Sequence, residues 1–126
     1  MDIKIGRITL LFLVFASPVY GQTTITKYSP TQLLKNHALT ACIAEGLKSG
    51  DAAEYAAAAA REYLEHGSLP IEAHTEAVLL SRKFLSKEYK NIYGDNLVFI
   101  KCIDFYNSKD LDHLANKYVG KKGRRP

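Results

Sequence analysis

The stretch GSLPIEAHTEAVLLSRKFL, residues 67–85, carries the clearest evidence of how this chain folds. Its Pro70 suits the first position of a helix, where the missing N–H costs no hydrogen bond, and we predict a helix from Pro70 to about Tyr89. The 3.6-residue period of a helix gives it one core-facing apolar stripe. The members of this stripe are Ala73, Ala77, Leu80 and Phe84. The chain is therefore predicted to pack helix against helix.

A second apolar stripe follows the same helix, about a third of a turn from the first. It consists of His74, Val78, Leu85 and Tyr89. A helix with two such stripes is covered on two sides. Two interpretations stay open: either the helix lies at the centre of a small bundle, or the second stripe is exposed and serves self-association or a partner.

Two further helices are indicated before this stretch. Ser29 can cap a helix that has Pro30 at its first position, Gln32 can close a capping box, and we predict that this helix runs to about residue 47. A second helix is predicted over residues 52–66, which are nearly all good helix formers. Residues of a capping pattern stand at its start, and a glycine offers a left-handed ending. These are Asp51, Glu54 and Gly67.

The C-terminal third of the chain is also predicted to be helical. Residues 97–106 suit a buried strand or a buried helix, but a lone strand would leave its backbone groups unpaired, so we expect a helix. Asn107 or Ser108 can cap a last helix that ends at Gly120. The prediction is an all-α fold, a small bundle of about five helices.

The N-terminus has the layout of a secretory signal. Lys4 and Arg7 precede an apolar stretch over residues 8–16, and small residues then lead to Gly21. We expect a signal peptide over residues 1–21. The apolar stretch is about half the roughly 20 residues that span a bilayer, so we expect no stable membrane insertion. The alternative is a buried N-terminal helix, although the stretch lacks an amphipathic period.

Export changes the interpretation of the cysteines. Cys42 and Cys102 are the two cysteines of the sequence, and in an oxidising compartment they are predicted to form one internal disulfide. Closing a loop of about 60 residues constrains the unfolded chain by roughly 4 kcal/mol on the chain-entropy model. We therefore expect the folded state to depend on this bond.

The formal net charge of +4 comes from the two ends of the chain. The predicted signal segment carries +1, from Lys4 and Arg7 against Asp2, and the last six residues carry +4. Subtracting both from +4 leaves residues 22–120 at about −1. A nucleic-acid-binding protein carries its basic residues on a folded face, whereas these lie in a segment, residues 120–126, that we expect to be a flexible basic tail. Nucleic acid is therefore not an expected partner.

No catalytic or metal-binding pattern is convincing. A cysteine–histidine pair would lose its nucleophile on disulfide formation, and the histidines lack the close spacing of zinc ligands. Glu72 and Glu76 share a helix face, but no companion acid or cleft accompanies them, so a solvated face is the simpler interpretation. We expect no enzyme activity, no metal and no cofactor.

Residues 90–96, KNIYGDN, form a predicted polar loop that displays Ile92 and Tyr93. Exposed apolar side chains on a loop tip are typical of binding sites. The alternative is that both side chains tuck back onto the bundle.

Four strings of the sequence resemble the type VI secretion system amidase immunity proteins, specifically the fourth group of that family. They are residues 67–85, KCIDFYNSKDLDHL at 101–114, TACIAEGL at 40–47 and KYV at 117–119. The resemblance covers most of the mature chain, and the sequence departs from it most in the basic tail after Val119. It supports a helical immunity domain over residues 22–119.

The resemblance implies a periplasmic protein, without activity of its own, that binds and blocks a secreted peptidoglycan amidase, a papain-like cysteine hydrolase. It also implies a homodimer that forms a heterotetramer with two toxin chains, and a loop that enters the substrate groove of the toxin. Mapped onto this sequence, that loop is residues 90–96, and the residues expected to bind the partner are Asn91, Ile92, Tyr93, Gly94 and Asp95. The dimer interface would use the second stripe of the third helix, which is His74, Val78, Leu85 and Tyr89. The alternative function is a secreted helical binding or scaffold protein of the cell envelope with no toxin partner.

Overall fold

Five α-helices and one short 3-10 turn make up the computed structural model, which describes residue 16 and residues 24–122. Most of the predicted signal peptide and residues 123–126 lie outside the described residues. The turn is Ile25–Lys27, and the helices are α1 (Pro30–Leu47), α2 (Asp51–His66), α3 (Ile71–Leu85), α4 (Val98–Tyr106) and α5 (Lys109–Lys122). The described part of the chain contains no strand, so the prediction of an all-α bundle is confirmed.

The first helix occupies the centre of the bundle. Its start is the predicted capping box: the Gln32 backbone N–H donates to Ser29 Oγ at 3.2 Å, and the Ser29 N–H donates to Gln32 Oε1 at 2.9 Å. From there α1 contacts all four other α-helices, whereas α3 packs on α1, α4 and α5. The central position that the two stripes indicated for the third helix therefore belongs to α1.

The core lies where α1, α3, α4 and α5 meet. On α3, Ala73, Ala77 and Phe84 are buried and Leu80 is half-buried, as the first stripe predicted. The predicted disulfide joins Cys42 of α1 to Cys102 of α4. The other helices contribute to the same core Leu34, Ala38, Phe105, Leu111 and Ala115.

Both ends of α2 and the end of α5 differ from the prediction. Asp51 is the first residue of α2, and the N-cap residue Gly50 makes no side-chain cap hydrogen bond, so the predicted capping at Asp51 is wrong. Gly67 ends α2 with φ −68°, so the left-handed ending is wrong. A Cβ at Gly67 would lie 3.0 Å from His74 Nε2, which is tighter than an ordinary van der Waals contact, so a side chain here would require the His74 ring to shift. The last helix starts as predicted, with Ser108 Oγ accepting from the Leu111 N–H at 3.2 Å, but it continues through Gly120 to residue 122.

The third helix ends at Leu85, four residues before the predicted Tyr89. Side chains replace the next helical turn: Lys101 Nζ of α4 donates to the Leu85 carbonyl oxygen at 3.1 Å, and Ser86 Oγ donates to the Lys83 carbonyl oxygen at 2.8 Å. These contacts satisfy carbonyl groups at the end of the helix, so the chain can leave α3 early.

Gly46 allows the beginning of α4 and the end of α3 to pack closely against α1. A Cβ at this position would lie 2.4 Å from Val98 Cγ1 and 2.8 Å from Leu85 Cδ2. We expect Gly46→Val to lower the free energy of unfolding by about 1–2 kcal/mol, because overpacking outweighs the gain in helix propensity. Urea denaturation checks this, with Gly120→Val as control: a Cβ at Gly120 meets nothing within 4 Å. Equal stability of the two variants would contradict it.

None of the helices within residues 24–122 combines the length and the apolar character needed to cross a membrane.

Candidate functional site

The segment between α3 and α4, residues 86–97, is the candidate site, and we call it the α3–α4 loop. Ile92 and Tyr93 at its tip are 89% and 79% exposed. The alternative in which both side chains tuck back onto the bundle is therefore wrong. Large side chains held in solvent are available to a partner.

The tip has its own hydrogen bonds. Asn91 Oδ1 accepts from the backbone N–H groups of Tyr93 and Asp95, each at 3.1 Å, and Asn91 Nδ2 donates to Asp95 Oδ2 at 3.4 Å. Gly94, between them, adopts φ +69°, a conformation that favours glycine. Asn91 and Asp95 thus shape the turn that presents Ile92 and Tyr93.

The root of the loop is fixed to α4. The Tyr89 hydroxyl donates to Asp104 Oδ2, and Lys101 Nζ lies 5.8 Å from the centre of the Tyr89 ring. The hydrogen bond to the Asp104 carboxylate raises the pKa of Tyr89, so this hydroxyl stays protonated at neutral pH. A fixed root and an exposed tip describe a preorganised binding loop.

Of the carboxylate pair on α3, Glu76 serves the fold. Glu76 Oε1 accepts from the Tyr118 hydroxyl of α5, and Lys117 Nζ lies 3.2 Å from Glu76 Oε2. The hydrogen bond to Glu76 raises the pKa of Tyr118 to about 12. Within the described residues, no three histidine, cysteine, aspartate or glutamate side chains come together in a way that can hold a metal ion.

The structure separates the four residues predicted for a dimer interface. His74 is buried, and it lines one groove together with the half-buried Val78. Leu85 lines a different pocket at the root of the α3–α4 loop, and Tyr89 lies beyond the end of α3 against Asp104. Two of the four residues are therefore neighbours on one surface, and the assignment stays a prediction.

His74 forms a buried pair with His37 of α1. Their Nδ1 atoms are 3.0 Å apart, and the rings meet edge to face with centroids 4.7 Å apart. Burial lowers the pKa of both histidines, and for His37 burial together with the nearby charge of His74 lowers it to about 4. Both rings are therefore neutral at pH 7, with one N–H donating to the other ring.

This pair makes stability depend on pH. A folded-state pKa below the unfolded value of 6.5 means that the stabilisation is complete above pH 6.5 and is lost as the pH falls towards 4. Between pH 7.5 and 5.5, His37 alone is expected to account for a loss of about 1 kcal/mol. Urea denaturation at both pH values measures it. His37→Leu should reduce the pH dependence and His113→Asn, an exposed change, should not; equal pH dependence in both variants would contradict the assignment.

The sequence argument missed an apolar surface on α4. Phe99, Ile100 and Ile103 are about half exposed, while Val98, Cys102 and Phe105 fill the core. The signal was present in the sequence, because a helix that buries one stripe has no core position for apolar residues on its other side. Ile100 lies one turn before Asp104, which holds the loop through Tyr89. The exposed side of α4 therefore adjoins the loop root.

Comparisons with known proteins agree with this architecture. The chain is similar to a chain in the structure of the effector–immunity system Tae4/Tai4 from Salmonella typhimurium, at 32% identity over 79% of this chain and 98% of that chain, with a TM-score of 0.71. It also shares the fold of a chain in the type VI effector–immunity complex Tae4–Tai4 from Enterobacter cloacae, at 24% identity over 76% of this chain and 98% of that chain, with a TM-score of 0.66. The comparison with curated proteins found no match.

A family model extends the agreement to the sequence. The model described as "Tai4: Type VI secretion system (T6SS), amidase immunity protein" matches residues 32–115. This range runs from the first turn of α1 into α5 and includes both disulfide cysteines and the whole α3–α4 loop. The chain therefore belongs to the Tai4 family of type VI secretion system amidase immunity proteins.

Proposed function

We propose that the chain is a periplasmic immunity protein that binds a type VI secreted peptidoglycan amidase and blocks its substrate groove with the α3–α4 loop. The observation that carries the proposal is the exposed pair Ile92 and Tyr93 on a loop whose root is fixed to α4. Family membership and the solved Tae4–Tai4 complexes support the identity of the partner.

A groove can be blocked without chemistry. A cysteine hydrolase binds its substrate in a concave site, and a side chain that fills this site excludes the substrate. The loop loses little conformational freedom on binding because Asn91 already holds its turn. An inhibitor of this kind needs no nucleophile, metal or cofactor.

We further propose that the mature chain begins at Gln22 after export and forms a homodimer, which binds two amidase chains. The groove on α3 that His74 and Val78 line supports this, because the neighbouring Ile71 and Leu79 are more than half exposed. Sedimentation of the mature chain, alone and with the amidase, measures the stoichiometry. A monomer that binds one amidase would contradict the dimer and leave inhibition untouched.

The test of function uses the mature chain and the amidase encoded by the same type VI system. We expect the chain alone to release no product from muropeptides and to suppress the amidase at equimolar amounts. A scaffold protein of the envelope would leave amidase activity unchanged, and an enzyme would cleave muropeptides by itself. Either result would overturn the proposal.

A further inference from the structure

A pocket of about 420 Å³ opens at the root of the α3–α4 loop, and we call it the root pocket. Ser86 and Asn96, near the two ends of the loop, both line it. Its walls come from the end of α1, the end of α3 and the beginning of α4. A partner that receives the loop down to its root therefore also covers this pocket.

The root pocket has an excess of positive charge. Lys48, Arg82 and Lys101 line it together with one acid, Glu45. Arg82 Nη2 lies 2.7 Å from Glu45 Oε1, so these two charges compensate each other. Lys48 has no side-chain hydrogen bond or ion pair with any residue that the structure describes. The lysines thus leave the pocket with a net charge of about +2.

The helix ends around the pocket have opposite electrostatic effects on a bound anion. The ends of α1 and α3 place carbonyl groups here, and Lys101 Nζ already donates to the Leu85 carbonyl oxygen. The beginning of α4 has the opposite polarity, and Leu97 supplies no side-chain cap for its backbone N–H groups. An anion in the pocket would meet Lys48 and this uncapped helix start.

Lys48 is held in a conformation that is costly for any residue with a side chain. It has φ +68° and ψ −49°, and the Ser49 N–H donates to the Leu47 carbonyl oxygen at 2.8 Å to close a three-residue turn around it. Glycine adopts this region without the strain that a Cβ causes. Strained residues of this kind are concentrated at functional sites, which indicates that the lysine side chain has a use.

We propose that the root pocket receives a carboxylate side chain of the bound amidase, held by the ammonium groups of Lys48 and Lys101. This inference rests on the proposed function, because the amidase is the partner that covers the loop root. Glu45 Oε2 is buried and accepts no hydrogen bond within the described residues. Because it is buried, this oxygen takes no part in the contact, and the two ammonium groups alone hold the carboxylate.

Substitution of Lys48 separates binding from folding. We expect Lys48→Gly to raise Tm by about 4 °C or more, because the strain is removed, and to weaken amidase binding about tenfold, because a charge pair is lost. Calorimetric titration with the wild-type amidase and thermal unfolding give the two values. A lysine with only a structural role would not lose affinity while stability rises.

Two further variants test the charge itself. Lys48→Met keeps the length of the side chain and removes its charge, and Lys109→Met makes the same change on α5, at an exposed lysine. We expect Lys48→Met to lose about tenfold in affinity and much of the salt dependence of binding, and Lys109→Met to retain both. If the wild type inhibits the amidase and the Lys48 variants bind it as tightly as the wild type does, the carboxylate site is contradicted and the proposed function is not. If the wild type neither binds nor inhibits, the proposed function fails and this inference fails with it.

Discussion

Reduction of the Cys42–Cys102 disulfide is expected to lower the free energy of unfolding by about 4 kcal/mol. The bond closes a loop with a sequence separation of 60, and both cysteines are fully buried in the core. Small domains are stable by about 5–15 kcal/mol, so the loss is a large fraction of the total. We expect Tm to fall by about 15 °C or more under strong reductant.

The control is the double variant Cys42→Ala with Cys102→Ala. It should melt near the reduced wild type and should not respond to reductant, because no bond is left to break. Thiol titration confirms that reduction is complete in the wild type. An unchanged Tm of the fully reduced wild type would contradict the expected stabilisation.

The disulfide also links stability to the site. Cys102 lies on α4, one residue after Lys101 and two residues before Asp104, and both of these hold the end of α3 and the start of the loop. Since Cys42 lies on the central helix, the bond fixes α4 to the body of the bundle. Reduction should therefore weaken binding as well as stability, provided that binding is measured below the lowered Tm.

Local signals in the sequence were sufficient for much of this fold. The capping box at Ser29 and the cap at Ser108 depend on residues three positions apart, so these two helix starts could be predicted without any tertiary contact. The core stripe of α3 follows from the helical period alone. The disulfide followed from the expected compartment and from the presence of two cysteines.

Features that depend on distant residues were not predicted. The third helix ends at Leu85 because Lys101, 16 positions later, donates a hydrogen bond to the Leu85 carbonyl oxygen. Gly67 packs closely against the ring of His74 and does not form a left-handed ending. The dimer residues were assigned to one stripe that the structure divides, since Tyr89 leaves the helix for Asp104. For the site, the loop and its exposed tip were predicted, and the root pocket was not, because three separate elements form it.

At the loop tip, Tyr93→Ala is expected to weaken amidase binding by about 2 kcal/mol or more, which is roughly a 30-fold higher Kd. Large aromatic side chains supply a major part of the binding energy when a partner buries them, and Tyr93 is 79% exposed in the free chain. Its side chain contributes little to the fold for the same reason, so Tm should stay within about 2 °C of the wild type. Calorimetric titration of the amidase measures the affinity.

Tyr55→Ala is the matched control, because Tyr55 is 73% exposed and lies on α2, outside the α3–α4 loop. The two variants remove the same side chain from equally accessible positions, so a difference in Kd reports the position and not the loss of a tyrosine. Asn91→Ala adds a second comparison, because it removes the acceptor of the Tyr93 and Asp95 N–H groups but leaves Tyr93 in place. It should weaken binding because the turn that presents Tyr93 becomes looser. If Tyr93→Ala and Tyr55→Ala bind the amidase equally, Tyr93 does not enter the groove. Retained inhibition by the Tyr93→Ala variant would then point to the exposed side of α4, where Phe99 and Ile103 supply the next large apolar surface beside the loop.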